Sequence, residues 1–320
     1  MDKPFQTYAQ LVSKLRDEKK LTVPDENRVI DLLKQHSYFS LVSGYKTPFK
    51  QSNGEYLPGT TIDDLLALFE FDNNLRDIFF HAIQTIEKHI KSLLSYAFVE
   101  KYGEDQKAYL THQSYKYIGN SNQDTYTRCA EVKKLTEHLR NKVQTPFEQK
   151  YIEHQWNKHH NIPLWVVIKA VTLGTTSKMY SLCTQDVQAN VSKEFIGVSE
   201  HQLIGMLDFL TRVRNVCAHN ERLYDFDSGK SRAIQAMPVH KQLGIGKKKS
   251  YYKKGQVDLF AAVICFRYLL SDKAFRDTVA RIENEIDDLL KRTKLIRKEQ
   301  LLKQMGFPPN WVDILKYAPK

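Results

Sequence analysis

The spacing of apolar positions along this chain is helical almost throughout. Tyr8, Leu11, Val12 and Leu15 fall at three- and four-residue steps, and the turn-prone Thr22-Val-Pro-Asp25 separates them from a second helical segment over Asn27 to Gln35. From Thr61 to Lys101 the pattern is long. Leu65, Leu68, Phe69, Leu75, Phe79, Ile83, Ile86, Ile90, Leu93 and Leu94 share a stripe, and Thr61 with Asp64 offers an acidic capping box at its start. Asp72, Arg76, His81, Glu87, His89 and Lys91 decorate this run and are expected to be solvated or paired. Between these elements, Tyr38 to Tyr45 leads through Pro48 to Asn53-Gly54, where a short hairpin fits.

Further on, residues 103 to 128 are polar and turn-rich and read as a loop carrying short helices. Helices are predicted around Glu131 to Arg140, before Pro146, and around Phe147 to Trp156, before Pro163. Leu164 to Leu173 is apolar and β-branched enough for a buried strand, but a helix continuing past Gly174 into Ser177 to Leu182 suits the neighbouring pattern better. Ser199 and Gln202 propose the cap of a helix striped by Leu203, Met206, Leu207, Leu210 and Val213. After Asp227 a basic, glycine-containing stretch intervenes, and helices return at Val257 to Leu270, Ala274 to Lys291 and Lys294 to Gln304. The fold class expected is all-α.

Composition adds a direction. The 320 residues carry a formal charge of +11, which favours polyanions, nucleic acid first. The 17 Tyr and 16 Phe lie mostly on apolar stripes and are expected in the core. Val257 to Leu270 contains Arg267 and is too short to span a bilayer, and the N-terminus lacks a signal peptide's apolar core, so no membrane association is expected. Cys129, Cys183, Cys217 and Cys265 form neither a knuckle nor a redox pair, which suits reduced thiols in a cytoplasm, with no metal and no cofactor. Lys241, Lys247, Lys248, Lys249, Lys253 and Lys254 follow one another without an intervening acid. They suit an RNA-contacting arm or a merely solvated loop, and Tyr251-Tyr252 adds little to either reading.

Candidate chemistry concentrates in Arg214-Asn-Val-Cys-Ala-His219. Arginine, asparagine and histidine can together grip a phosphate and move a proton near neutrality without a metal. A 100° helical step places Leu203, Met206, Leu210, Val213 and Cys217 on an apolar arc, and Asn215, His219 and Arg222, joined by Arg212, on a polar stripe. Arg214 then sits about 140° around from His219. To unite the pair, the helix must distort near Ala218, the guanidinium must reach round, or a second subunit must supply the facing groups. The matching reaction is attack of an RNA 2′-hydroxyl on its neighbouring phosphate, leaving a 2′,3′-cyclic phosphate and a 5′-hydroxyl.

Arg214-Asn-Val-Cys-Ala-His-Asn-Glu-Arg-Leu223 resembles the signature of the Abi-like (abortive-infection) family, whose core belongs to the HEPN superfamily of all-helical domains. Tyr38-Phe-Ser-Leu-Val-Ser-Gly-Tyr-Lys-Thr-Pro-Phe49, Phe71-Asp-Asn-Asn-Leu-Arg76, Ile86-Glu87, Pro163-Leu-Trp165 and Leu173-Gly-Thr-Thr-Ser-Lys178 follow in the family's order, over roughly residues 3 to 226. The resemblance implies a HEPN-like helical core over 61–227, an N-terminal extension over 1–60, a basic loop over 228–256 and C-terminal helices over 257–320. It implies a metal-independent ribonuclease site of Arg214 and His219, expected across a homodimer. Asn215, Glu87 and Arg222 would support it, and Arg212, Lys247, Lys248, Lys249, Lys253 and Lys254 would bind RNA. A phage-defence or toxin-like role follows, with an antitoxin protein or inhibitory RNA as restraint and a phage-derived trigger. Lys169, where relatives often carry an acid, and Tyr224-Asp225 depart from the pattern. The alternatives are a non-cleaving RNA-binding or sensing module and a structural protein-interaction subunit.

Overall fold

The computed structural model describes residues 4–144 and 149–319. Pro146, which the apolar pattern sets between two helices, and Phe147, where the second is expected to start, lie outside them. Helix α1 (Tyr8–Ser13) continues as a wider turn to Glu18, and α2 (Glu26–His36) starts at Asp25, whose carboxylate accepts the Asn27 and Arg28 N–H groups. Asn53-Gly54 makes a tight turn closed by one antiparallel bridge, Lys50 to Tyr56, rather than a hairpin of two strands.

The spine is α3 (Ile62–Tyr102), 41 residues and about 60 Å long at 1.5 Å per residue. Its start is capped as expected: the Asp64 carboxylate accepts the Thr61 N–H and hydroxyl, both at 2.9 Å. Two expectations fail beyond it. After the short α4 (Gln106–Leu110), α5 (Asn122–Gln144) begins well inside the stretch read as loop. Its first turn is polar but has its own start signals, because Ser121 Oγ accepts the Asp124 N–H at 3.1 Å and Asp124 pairs with Arg128 at 3.0 Å. After α6 (Lys150–His159), the helix expected from Leu164 to Leu182 is broken. The single turn α7 (Leu164–Val167) tightens over Ile168–Ala170, Val171 is extended, and Thr172 caps α8 (Leu173–Leu182) by accepting the Thr175 N–H. Lys91 Nζ of α3 takes the freed Val171 carbonyl at 2.6 Å.

A short helix absent from the apolar pattern, α9 (Gln185–Ser192), precedes α10 (Glu200–Ala218), which the Ser199–Gln202 capping box opens as expected. Helix α10 packs on α3, α8 and α9. The stretch 228–256 is not a free loop. Ile234, Met237, Val239 and Leu243 are buried, α11 (Pro238–Gln242) forms, and only a hairpin of β1 (Lys247–Lys248) and β2 (Tyr251–Tyr252), with Lys247 opposite Tyr252, stands out. His240 anchors it. Its Nδ1 accepts the Met237 N–H at 3.0 Å, its Nε2–H donates to Gly255 O at 2.8 Å, and its ring stacks on Tyr252.

Helix α12 (Leu259–Leu269) is buried along its whole length and packs against α3, α10 and α13 (Asp272–Arg292), which lays Phe275, Val279, Ile282, Ile286 and Leu289 on α3. Helix α14 (Lys298–Gln304) closes the core. The class is all-α, as the periodicity predicts. Among the described residues no helix is long and apolar enough to cross a membrane.

Candidate functional site

Helix α10 buries Leu203, Met206, Leu207, Leu210, Val213 and Cys217 as its periodicity demands, leaving Asn215 and His219 exposed. His219 still follows the helical path, its N–H donating to Asn215 O at 2.9 Å. The chain then reverses at Asn220, where φ is +54°. The N–H groups of Asn220 and Glu221 return to Cys217 O and Val216 O at 3.4 and 3.0 Å. This is a Schellman closure, and asparagine tolerates the left-handed position it needs.

The reversal delivers Leu223 and Tyr224 to α3. Both donate their N–H groups to the Asp72 carboxylate, Tyr224 at 2.7 Å, and Asp72 also accepts Arg76 Nη1 at 2.6 Å and the Tyr45 hydroxyl at 2.7 Å. Arg76 donates in turn to Glu221 O at 3.2 Å. Asp72 is fully buried and Arg76 nearly so. Burial pushes the Asp72 carboxyl up, while Tyr45, Arg76 and the two N–H groups draw it back. Burial also pushes the Tyr45 hydroxyl up, so it remains a donor. This cluster joins three separated stretches of the chain and holds the end of α10 in place. Asp72 and Arg76 were expected to be ordinary solvated or paired groups. They are a paired hub, and the signal for it is an acid and a base four residues apart inside the apolar run of Phe71 and Leu75.

The two reactive candidates face different ways. The Arg214 guanidinium lies 5.6 Å from the Phe80 ring centroid and lines a cleft of about 570 Å3 with Gln84, Glu87, Lys88, Lys91, Trp165 and Lys169. His219 does not line this cleft. Its neighbours Ala218 and Asn220 border a second groove of about 680 Å3, which includes Phe80, the ring beneath Arg214, with His36, Asn73, Arg76 and Asp77. Helix distortion does not unite the pair, because the regular path lasts through His219. Among the described residues, neither Arg214 nor His219 makes an ion pair or a side-chain hydrogen bond.

The remaining site residues separate into those that share the cleft and those that do not. Glu87 lies in the Arg214 cleft, paired with Lys91 at 2.6 Å. Arg222 binds the fold together, donating to Gly44 O at 2.6 Å and to Asp225 at 2.7 Å. Arg212 lies 3.4 Å from Asp208, which Arg232 also approaches at 3.5 Å. Lys247, Lys248, Lys249 and Lys253 are exposed on or beside the hairpin, outside the cleft. Lys254 departs from the expected basic arm: it is half-buried, donates to the Phe307 carbonyl, and burial pushes its ammonium down. Among the described residues no group of three or more His, Cys, Asp or Glu is placed to hold a metal ion.

A family model described as Abi-like protein matches residues 31–225, more than half of the chain, and takes in the Asp72 hub together with Arg214 and His219. No curated protein and no solved structure matches the chain. With that match, the chain belongs to the Abi-like protein family, whose name denotes abortive infection, a class of phage defence.

Proposed function

We propose that this protein is a metal-independent endoribonuclease of HEPN type, acting in phage defence, with its active site completed by a second copy of the chain. One observation carries the reading. Among the described residues, Arg214 and His219 are left without an ion pair or side-chain hydrogen bond at the end of a helix whose termination is otherwise over-determined by the Schellman turn, Arg222 and the buried Asp72. Reactive groups held on a rigid support while keeping their own valences free are what catalysis needs.

Because Arg214 and His219 diverge on one helix, a symmetric pairing of α10 ends places the arginine of one copy against the histidine of the other. His219 of one copy takes the proton from the 2′-hydroxyl as the bond from the 2′-oxygen to phosphorus forms. The bond from phosphorus to the 5′-oxygen breaks, and that oxygen leaves with a proton from water, so each composite site needs one histidine and one arginine. Arg214 balances the charge gathering on the phosphoryl oxygens, and Asn215 orients the histidine or holds a phosphate oxygen. The exposed lysines of the hairpin add backbone attraction. Unchecked cleavage would harm the cell, so an antitoxin protein or inhibitory RNA as restraint and a phage-derived trigger belong to this reading.

The test incubates wild-type, His219→Ala and Arg214→Ala proteins with varied RNAs in chelator and maps the product ends. Cleavage by wild type alone, leaving 2′,3′-cyclic phosphate and 5′-hydroxyl ends, is expected. Products with 5′-phosphates, cleavage that needs added metal, or unchanged cleavage in both variants would overturn the mechanism. RNA bound but never cut would leave a sensing module in its place.

A further inference from the structure

The Arg214 cleft contains more than the catalytic candidates require. One wall is a polar stripe of α3, Gln84, Glu87, Lys88 and Lys91, continuing through Ser92 to Ser95, residues that recur at three- and four-residue steps and so share one face. The other wall is the single turn of α7 and its extension, where Trp165, Ile168 and Lys169 share a face by the same spacing. Leu164 and Val167 face the opposite way and are buried, at 1% and 0% exposure, so the helical phase turns the Trp165 indole outward, 49% exposed. Trp311, by contrast, is sealed in the core at 2%. An indole left this open at the mouth of the cleft forgoes about half of what full burial would give it.

The charge of the cleft is one-sided. Among the described residues Glu87 is its only acid, and Lys91 pairs with it at 2.6 Å while also holding Val171 O. Lys88, Lys169 and Arg214 therefore remain uncompensated among the described residues. The Lys169 ammonium rests 5.0 Å from the Tyr151 ring centroid, which keeps it beside the wall without neutralising it. The volume of about 570 Å3 lies within the roughly 300–1,000 Å3 of small-ligand sites.

We infer that this cleft is a subsite for single-stranded RNA, in which an unpaired base stacks on Trp165 and its flanking phosphates lie on Lys88, Lys169 and Arg214. The inference rests on the RNA reading of the same site and assigns the substrate class. A flat π-face between cations suits a base with phosphates on either side, and stacking tolerates any base identity. A duplex keeps its bases paired and cannot present one to the indole. Lys169, one turn from Trp165, adds a phosphate contact at the same wall.

The test uses the full chain with His219→Ala, so that bound RNA stays intact, and measures affinity for a short unstructured RNA and for a duplex of the same length across a salt series. Trp165→Ala is expected to weaken single-strand binding roughly 5- to 100-fold with an unchanged salt slope, and Trp165→Phe to restore most of it. Duplex affinity is expected to be unaffected by either. Lys88→Ala and Lys169→Ala are each expected to lower the salt slope by about 0.7. Single-strand binding by Trp165→Ala within about twofold of its parent, or equal losses for both RNAs, would overturn the subsite. Should Trp165→Ala lose its helical circular dichroism, Lys169→Glu decides: weakened single-strand binding supports the subsite and unchanged binding overturns it. Absence of cleavage by the wild-type chain, with this binding pattern intact, would remove the ribonuclease reading and leave the subsite standing. Cleavage present, with the Trp165 variants unchanged in binding and rate, would remove the subsite alone.

Discussion

Replacing Asp72 by alanine probes the support of the site without touching Arg214 or His219. The substitution leaves Arg76, only 5% exposed, as a buried guanidinium without its partner, a change that costs about 3–5 kcal/mol. The Tyr45 hydroxyl and the Leu223 and Tyr224 N–H groups lose their acceptor in the same step. These losses are not additive with the first, because one cavity and one backbone shift serve them all. Asp72→Asn keeps one oxygen for the N–H groups and is expected to cost less, about 2 kcal/mol. The surface pair Arg28–Asp63, 3.0 Å apart with side chains 49% and 57% exposed, is the internal control and is expected to contribute about 0.2–1 kcal/mol. Urea unfolding followed by far-UV circular dichroism gives each difference, and a double-mutant cycle of Asp72→Ala with Arg76→Met gives the coupling, expected above about 1.5 kcal/mol. With a total stability of roughly 5–15 kcal/mol, Asp72→Ala remains measurable. A loss no larger than that of the Arg28–Asp63 control would refute the assignment of Asp72 as the anchor of the α10 end.

The other expectations concern local conformation, titration and charge. Burial holds His240 neutral and its pKa below the ordinary value. Its contribution is therefore complete above about pH 6.5 and is lost as pH falls through that value toward the lower folded one, and the drop in urea midpoint from pH 7 to 5 is expected to be steeper in wild type than in His240→Gln. Identical slopes would contradict it. At Asn220, valine is expected to cost about 1–2 kcal/mol and glycine almost nothing, because φ is +54°; equal thermal midpoints for the two variants would remove the left-handed turn as the cause. Lys254→Ala is expected to lower the thermal midpoint without changing the salt dependence of RNA binding, whereas Lys248→Ala with Lys249→Ala should reduce the salt slope and spare stability. The reverse pattern would exchange their roles.

Much of this was legible from residue spacing. Helices α3 and α10 declare themselves because long amphipathic stripes and capping residues point to the same boundaries. The 140° divergence of Arg214 and His219 was also readable, since it depends only on helical phase, and the structure retains it through the His219 N–H bond to Asn215. The start of α5 was hidden because its stabilising signals, at Ser121, Asp124 and Arg128, are all polar and sit beside a glycine. The break at Val171 was hidden because it depends on Lys91, 80 residues away. The Asp72 hub was hidden for the same reason: its i,i+4 partner is local, but its backbone donors lie more than 150 residues downstream. Lys254 could not be told from Lys253 by sequence, because only the Phe307 carbonyl separates a packed lysine from a solvated one.

The central claim, that Arg214 of one copy works with His219 of another, has a direct test in a heterodimer. Co-expressing differently tagged Arg214→Ala and His219→Ala chains and purifying the mixed dimer yields one composite site that keeps both wild-type groups and one that has neither. Each variant homodimer is expected to be inactive, and the mixed dimer to cleave RNA at about half the wild-type rate per dimer. A mixed dimer as inactive as its parents would contradict the shared site.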